Sequence, residues 1–243
     1  MYRLSAAHYD AIYAGKDYAG EAAQIRDLVA ARRGRHGGRL LDVACGTGRH
    51  LEHLRAHFDA AGLDLEPGLL SEARRRLPGL PLHQGDMRAF DLGERFDVVT
   101  CLFSAIGYVR TRAGLARALR SMARHLAPGG VLLVEPWFTP EAWRDRTVHL
   151  STVEEPELRI ARACTSETRG NLSIMDMHHL VSTPAGTRHF KERHVLGLFT
   201  VDQMRDGFKA AGLQADFQEP GLSGRGLWVA GRGWVESPRA PWA

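Results

Sequence analysis

The stretch Leu40–Gly48, LLDVACGTG, constrains this chain more than any other. Arg39 to Ala44 reads as a buried strand that breaks into a Gly-x-Gly turn and opens a helix through Arg49–Phe58. Gly46 and Gly48 allow a tight turn and close approach of a ligand to the backbone. The helix start behind them offers unpaired N–H groups to a polar ligand. Asp42 lies within the strand, where an apolar residue would pack better, so it demands a cationic or hydrogen-bonding partner. A dinucleotide fold also uses strand, Gly-rich turn and helix, but its third glycine is missing here, where His50 and Leu51 stand. A plain structural turn stays open on this loop alone.

The flanking pattern repeats. Helical spacing of Ala22, Ile25, Leu28 and Val29 predicts a helix from Asp17. Strands are expected at Ala60–Leu65, Leu80–Gln84, Phe96–Phe103 and Val131–Glu135. Between them, Pro67 opens one helix, and Leu115, Leu119, Met122 and Leu126 stripe another that stops at Pro128-Gly129-Gly130. This alternation predicts a doubly wound α/β sheet with right-handed crossovers. Then Arg159–Ser166, Asn171–Thr183 and Thr187–Phe199 follow one another without helices, as an antiparallel meander covering the ligand face. A helix over Val201–Ala211 and strands at Leu213–Phe217 and Leu227–Gly231 complete a seven-stranded sheet. The expected organisation is one domain over 1–232, with a β insertion at about 146–199, and a mobile tail over 233–243.

Composition excludes several classes. A charged fraction of 25% and an apolar fraction of 44% belong to an ordinary globular protein. The net charge of +4 is too mild to argue for nucleic acid and suits an anionic small ligand. No apolar run is long enough to span a bilayer, and the N-terminus lacks the apolar core of a signal peptide. Cys45, Cys101 and Cys164 form no CxxC pair, which suits buried thiols in a reducing cytoplasm.

Ligands of such sheets sit outside the carboxyl ends of the strands. Asp64 ends the second strand about 20 residues after the glycine loop, where a carboxylate takes both ribose hydroxyls. Asp86 ends the third and is placed to accept from an adenine amino group, with Met87 against the ring. A helix N-cap is the bland alternative for each acid, and the recurrence at three successive strands weakens it.

The run LLDVACGTG…GLDL…GDM over residues 40–135 resembles the class I S-adenosylmethionine (SAM) methyltransferases. That resemblance implies SAM as cofactor, a Rossmann-like fold, and Asp42 facing the cofactor's amino and sulfonium charges. It implies cofactor contacts at Ala44, Gly46, Gly48, Asp64, Leu65, Asp86, Met87 and Leu102. Further strings are similar to the sugar-nucleotide N,N-dimethyltransferases of antibiotic pathways, the desosamine and mycaminose type. They are GKDY at Gly15–Tyr18, LHQGDMR at Leu82–Arg88, FSAIGY at Phe103–Tyr108, GGVLLVEPW at Gly129–Trp137 and SGRGL at Ser223–Leu227. This narrower resemblance implies dimethylation of the 3-amino group of a dTDP-linked deoxyhexose. It puts Tyr9 and Tyr18 near the cofactor, and Tyr2, Glu21, Tyr108 and Arg225 at the sugar nucleotide.

Methyl transfer to an amine is an in-line displacement, so alignment of a neutral nitrogen is the protein's main task. Tyr108, just after the fourth strand, is the best-placed base; a rim aromatic is the alternative. Glu135 ends the fifth strand and either holds the sugar's ammonium or is a structural acid. His178 and His194 line the cover or are solvated. With His179 and His189 they lack the compact spacing of a metal site, so no metal is expected. Arg225, in the turn Ser223–Gly226, offers a donor fork to a diphosphate unless it is a solvated hairpin arginine. A DNA or RNA amine methylase would carry an Asn/Asp-Pro-Pro-aromatic turn where this chain has Leu102-Phe103-Ser104-Ala105. A methyltransferase of another small molecule, such as a nucleoside or peptide antibiotic precursor, and a non-catalytic SAM-binding protein stay open, as does a homodimer.

Overall fold

In the computed structural model, which describes residues 6–233, the apolar runs pair as parallel strands and the amphipathic stretches cross over between them as helices. A 3-10 turn (Ala6–His8) and α1 (Tyr9–Ile12) precede α2 (Tyr18–Arg33). Asp17 caps α2 by accepting from the Gly20 amide at 2.8 Å. The wound part then runs β1 (Arg39–Val43), α3 (Arg49–Leu54), β2 (Asp59–Asp64), α4 (Pro67–Arg76), β3 (Leu82–Gln84), β4 (Phe96–Cys101), a 3-10 turn (Ala105–Val109), α5 (Arg112–Arg124) and β5 (Leu126–Val134). Four strands follow, β6 (Val148–Glu155), β7 (Leu158–Arg169), β8 (Leu172–Thr183) and β9 (Gly186–Gly197), then α6 (Val201–Ala210), β10 (Gln214–Gln218) and β11 (Leu227–Gly231).

The main sheet has seven strands in the order β10-β11-β5-β4-β1-β2-β3, with β11 antiparallel to β5 and to β10. Alternate residues of each strand feed two core layers. Leu41, Val99 and Leu132 pack with Leu115, Met122 and Phe208, whereas Leu40, Val98 and Leu133 pack with Ile25, Leu51 and Leu70. Burial on both faces explains why the strands read as continuous apolar runs. Strand order reverses between β1 and β4, and that switch point opens a crevice at their carboxyl ends.

The class of fold and the separate antiparallel sheet agree with expectation; two details differ. The second sheet has four strands, β6-β7-β8-β9, and not three. β6 escaped notice because it is an edge strand exposed on nearly every residue, so its few apolar positions, Val148, Leu150 and Val153, mark no buried face. β5 begins at Leu126, so Pro128-Gly129-Gly130 lies inside the strand at a register shift rather than ending a helix. No helix of the described residues is long and apolar enough to cross a membrane. Tyr2 and tail residues 234–243 lie outside the described residues.

Candidate active site

The glycine loop is held by Asp64. Its Oδ2 accepts from the Gly46 amide and its Oδ1 from the Glu66 amide, both at 2.8 Å. Ala44 and Gly46 both take positive φ, 63° and 58°, as the strand turns out of the sheet. A Cβ on Gly46 would meet nothing within 4 Å, because the residue faces open space. On Gly48, at φ 78°, a Cβ would stand 2.7 Å from Leu77 Cδ1. Gly48 therefore serves the packing of the loop on α4, not the approach of a ligand.

A cavity of about 300 Å³ opens outside the strand ends, with Asp64, Leu65, Asp86, Met87, Leu102 and Tyr108 on its walls. A smaller recess continues from it, past Tyr9, Ala44, Gly46 and Phe103, to Tyr18, Asp42 and Arg49. SAM makes two demands on such a space: an adenosine half among apolar and acceptor groups, and an amino-acid end with an ammonium and a carboxylate. The recess meets the second demand. The Tyr18 hydroxyl is buried and has no partner among the described residues, which is costly unless a ligand acceptor completes it. Asp42 and Arg49 put opposite charges beside it. The residues present fit SAM.

The turn after β4 brings Tyr108 to the cavity wall. Phe103, Ser104 and Arg110 take φ values of 50°, 60° and 62°, a run of left-handed residues that needs support. The second sheet supplies part of it. A Cβ on Gly107 would lie 3.0 Å from Leu196 Cδ2 of β9, tighter than ordinary packing, so glycine seats the turn more closely than a larger residue would. Tyr108 Oη lies 2.6 Å from His194 Nδ1 on the same strand.

Comparison with known proteins now bears on this geometry. A methyltransferase domain model matches residues 40–130. The dTDP-3-amino-3,4,6-trideoxy-alpha-D-glucopyranose N,N-dimethyltransferase of Streptomyces venezuelae is 46% identical over 94% of this chain and 98% of its own. The chain belongs to the SAM-dependent sugar N,N-dimethyltransferases. The methyltransferase is also 44% identical, over 91% of its length and 90% of the relative's, to the dTDP-4-amino-2,3,4,6-tetradeoxy-D-glucose N,N-dimethyltransferase of Saccharopolyspora spinosa. The structure of an amino pentose methyltransferase from Micromonospora echinaspora with SAM bound is 43% identical, covers 95% of this chain and 97% of that one, and superposes with a TM-score of 0.83.

Several residues of the methyltransferase stand elsewhere than their sequence suggested. Glu135 is fully buried and takes hydrogen bonds from Phe103 N (2.6 Å), Arg225 Nη2 (3.0 Å) and the Ser223 hydroxyl. It is the structural acid of the two readings, not a receptor for a sugar ammonium. Arg225 is correspondingly not an exposed fork: its Nε donates to Ser104 Oγ at 2.8 Å, and three aromatic rings lie about 6 Å away. Glu21 is buried under the glycine loop, paired with Lys16 and with His50 Nε2 at 2.7 Å, and lines neither space. His178 points to the exposed side of the cover, 3.1 Å from His189, since strand alternation sends His179 inward instead. Asp86 lines the cavity but is bound by its neighbour Arg88, which holds its carboxyl below the usual range. Sequence reasoning passed over Leu69, Phe103 and Arg110, which also line the cavity. Leu69 lies on the buried apolar face of α4, and a positive φ at Phe103 leaves no signal in the sequence.

Asp42 accepts from Thr100 Oγ1 at 2.7 Å, and burial pushes its carboxyl up to about 6. The folded form therefore binds this proton more tightly than the unfolded chain. Its favourable contribution is complete below the unfolded carboxylate pKa and is lost as the pH rises through about 6. Asp42→Asn is expected to stabilise the ligand-free methyltransferase by up to about 3 kcal/mol at about pH 8 and by almost nothing at about pH 4. SAM affinity should fall in the same variant. Urea denaturation at both pH values checks this; equal stability at the higher pH would show that the buried carboxylate costs nothing.

Proposed function

We propose that this methyltransferase transfers two methyl groups from SAM to one amino nitrogen of a dTDP-linked deoxyamino sugar in antibiotic biosynthesis. The carrying observation is that the match to sugar N,N-dimethyltransferases extends over 94% of the chain, through the second sheet and the Ser223–Gly226 turn, well past the cofactor half. SAM supplies an electrophilic methyl group on a sulfonium. The chain's residues bind and align. Asp64 and Asp86 offer acceptors to the ribose and adenine, with Leu65, Met87 and Leu102 as apolar walls. Asp42, Tyr9 and Tyr18 serve the amino-acid end, and Tyr108 faces the incoming amine. Arg225, locked to Glu135, shapes the rim of the substrate side. Three free cysteines, two of them buried, fit the reducing cytoplasm in which we place the enzyme.

A monomethylamine remains nucleophilic and only modestly larger than the amine, so a pocket that admits one need not reject the other. Mass spectrometry with excess SAM is expected to show a gain of two methyl groups. The substrate panel includes 3-amino and 4-amino sugars, because relatives of both kinds match. A product that stalls at one methyl, or no turnover on any nucleotide sugar, would overturn the reading.

A further inference from the structure

We propose that His194 is a positioning residue and the terminal proton acceptor behind Tyr108, so that a Tyr108–His194–Glu192 array drains the proton that the substrate amine must lose. This rests on the amine substrate proposed above.

The array is built jointly by two parts of the fold. Tyr108 comes from the turn after β4, and His194 and Glu192 come from the inner side of β9. His194 is 1% exposed and Glu192 6%. An imidazole and a carboxylate on a packed sheet face displace apolar side chains that would be cheaper to bury, unless their polarity is used. The 2.6 Å contact joins Tyr108 Oη to His194 Nδ1, and His194 Nε2 stands 3.8 Å from Glu192 Oε2. With the proton on Nε2, Nδ1 accepts from the phenol, and Nε2–H lies on the Glu192 side, near enough to that carboxylate for charge attraction but beyond hydrogen-bond reach. In that arrangement the phenol's proton is engaged behind it, and the oxygen's lone pairs are turned to the cavity that Tyr108 lines.

The chemistry asks for such an arrangement. An alkylammonium has no lone pair and must lose a proton before each methyl transfer. As the amine N–H proton passes to Tyr108 Oη, the phenol's own proton passes to His194 Nδ1. The phenol ends neutral, the nitrogen gains its lone pair, and the positive charge moves from the nitrogen to the imidazolium. Glu192 faces that charge, and the proton leaves to solvent when product departs. His179 on β8 is the neighbouring imidazole on the inner side. Burial holds it down to about 4, so at neutral pH it stays uncharged and does not repel an imidazolium at His194. Arg162 of β7 and His8 of the first turn act on His179 from further round.

His194→Asn tests the array, because an amide oxygen keeps an acceptor near the Nδ1 position but cannot carry the proton. The kcat for dimethylation is expected to fall about tenfold at about pH 7, with the deficit closing toward about pH 9.5, where more of the amine is already neutral. KM for the sugar nucleotide and Kd for SAM should stay within about twofold. A merely structural role would lower kcat at every pH. An Asn variant that matches the parent across the pH range would overturn the array. If that variant does not fold, Glu192→Gln reads the same device: with less negative charge facing Nε2, the acid limb of the kcat profile should move to lower pH, and an unmoved limb counts against the proposal. Failure of the substrate reading looks different, since the parent itself would then methylate no nucleotide sugar.

Discussion

Asp64→Ala is expected to lower SAM affinity by about 1,000-fold while leaving the protein folded. Each Asp64 oxygen already holds one backbone amide, that of Gly46 or of Glu66, at 2.8 Å. A carboxylate has about four acceptor positions, so two remain for ribose hydroxyls at the cavity that Asp64 lines. Alanine removes both functions: it deletes two hydrogen bonds to a charged acceptor, worth about 1.5–3 kcal/mol each, and it unties the glycine loop. The released Gly46 amide belongs to a residue that lines the cavity, so water can reach it and the cost to folding stays small. Asp64→Asn impairs both functions as well, because its NH2 would oppose one backbone N–H and donate where the ribose also donates. Calorimetry with SAM gives the affinity, and the thermal midpoint without SAM gives the fold. Wild-type affinity in the alanine variant would remove Asp64 from the site.

What could be read in the sequence follows from the range of the interactions involved. β1, β2 and β4 declare themselves by apolar runs, and Asp42, Asp64 and Asp86 by being acids within β1, at the end of β2 and just past β3; all these signals are local. The cavity gathers those residues because a doubly wound sheet presents its strand ends together. β6 stayed hidden because an edge strand that buries neither face leaves no core pattern to read. The Glu135–Arg225 pair was not legible for a different reason. They lie 90 residues apart, and nothing local to either announces that they form a buried pair. His194 gained a role only when β9 was placed against Gly107, a contact that depends on the mutual position of the two sheets.

The Glu135 pair leads to the second large effect. Three donors converge on one fully buried carboxylate: Phe103 N, the Ser223 hydroxyl and Arg225 Nη2. Arg225 in turn reaches Ser104 Oγ, and that hydroxyl donates to Pro136 O at 2.6 Å. The cluster thus clamps the two residues, Phe103 and Ser104, whose positive φ starts the turn bearing Tyr108. Removing one member of a buried ion pair leaves an uncompensated charge, so Glu135→Ala is expected to cost about 3–5 kcal/mol in urea denaturation. Glu135→Gln keeps an acceptor and should cost about 1–3 kcal/mol. Replacing both partners, Glu135→Leu with Arg225→Leu, should recover much of the stability, because no buried charge is left unpaired. Activity should not return with it, since the Phe103 amide still lacks its acceptor and the left-handed turn its clamp. A loss below about 1 kcal/mol in the alanine variant would mean that water enters and replaces the carboxylate. Full activity in the double variant would show that the turn carrying Tyr108 holds its shape without the pair.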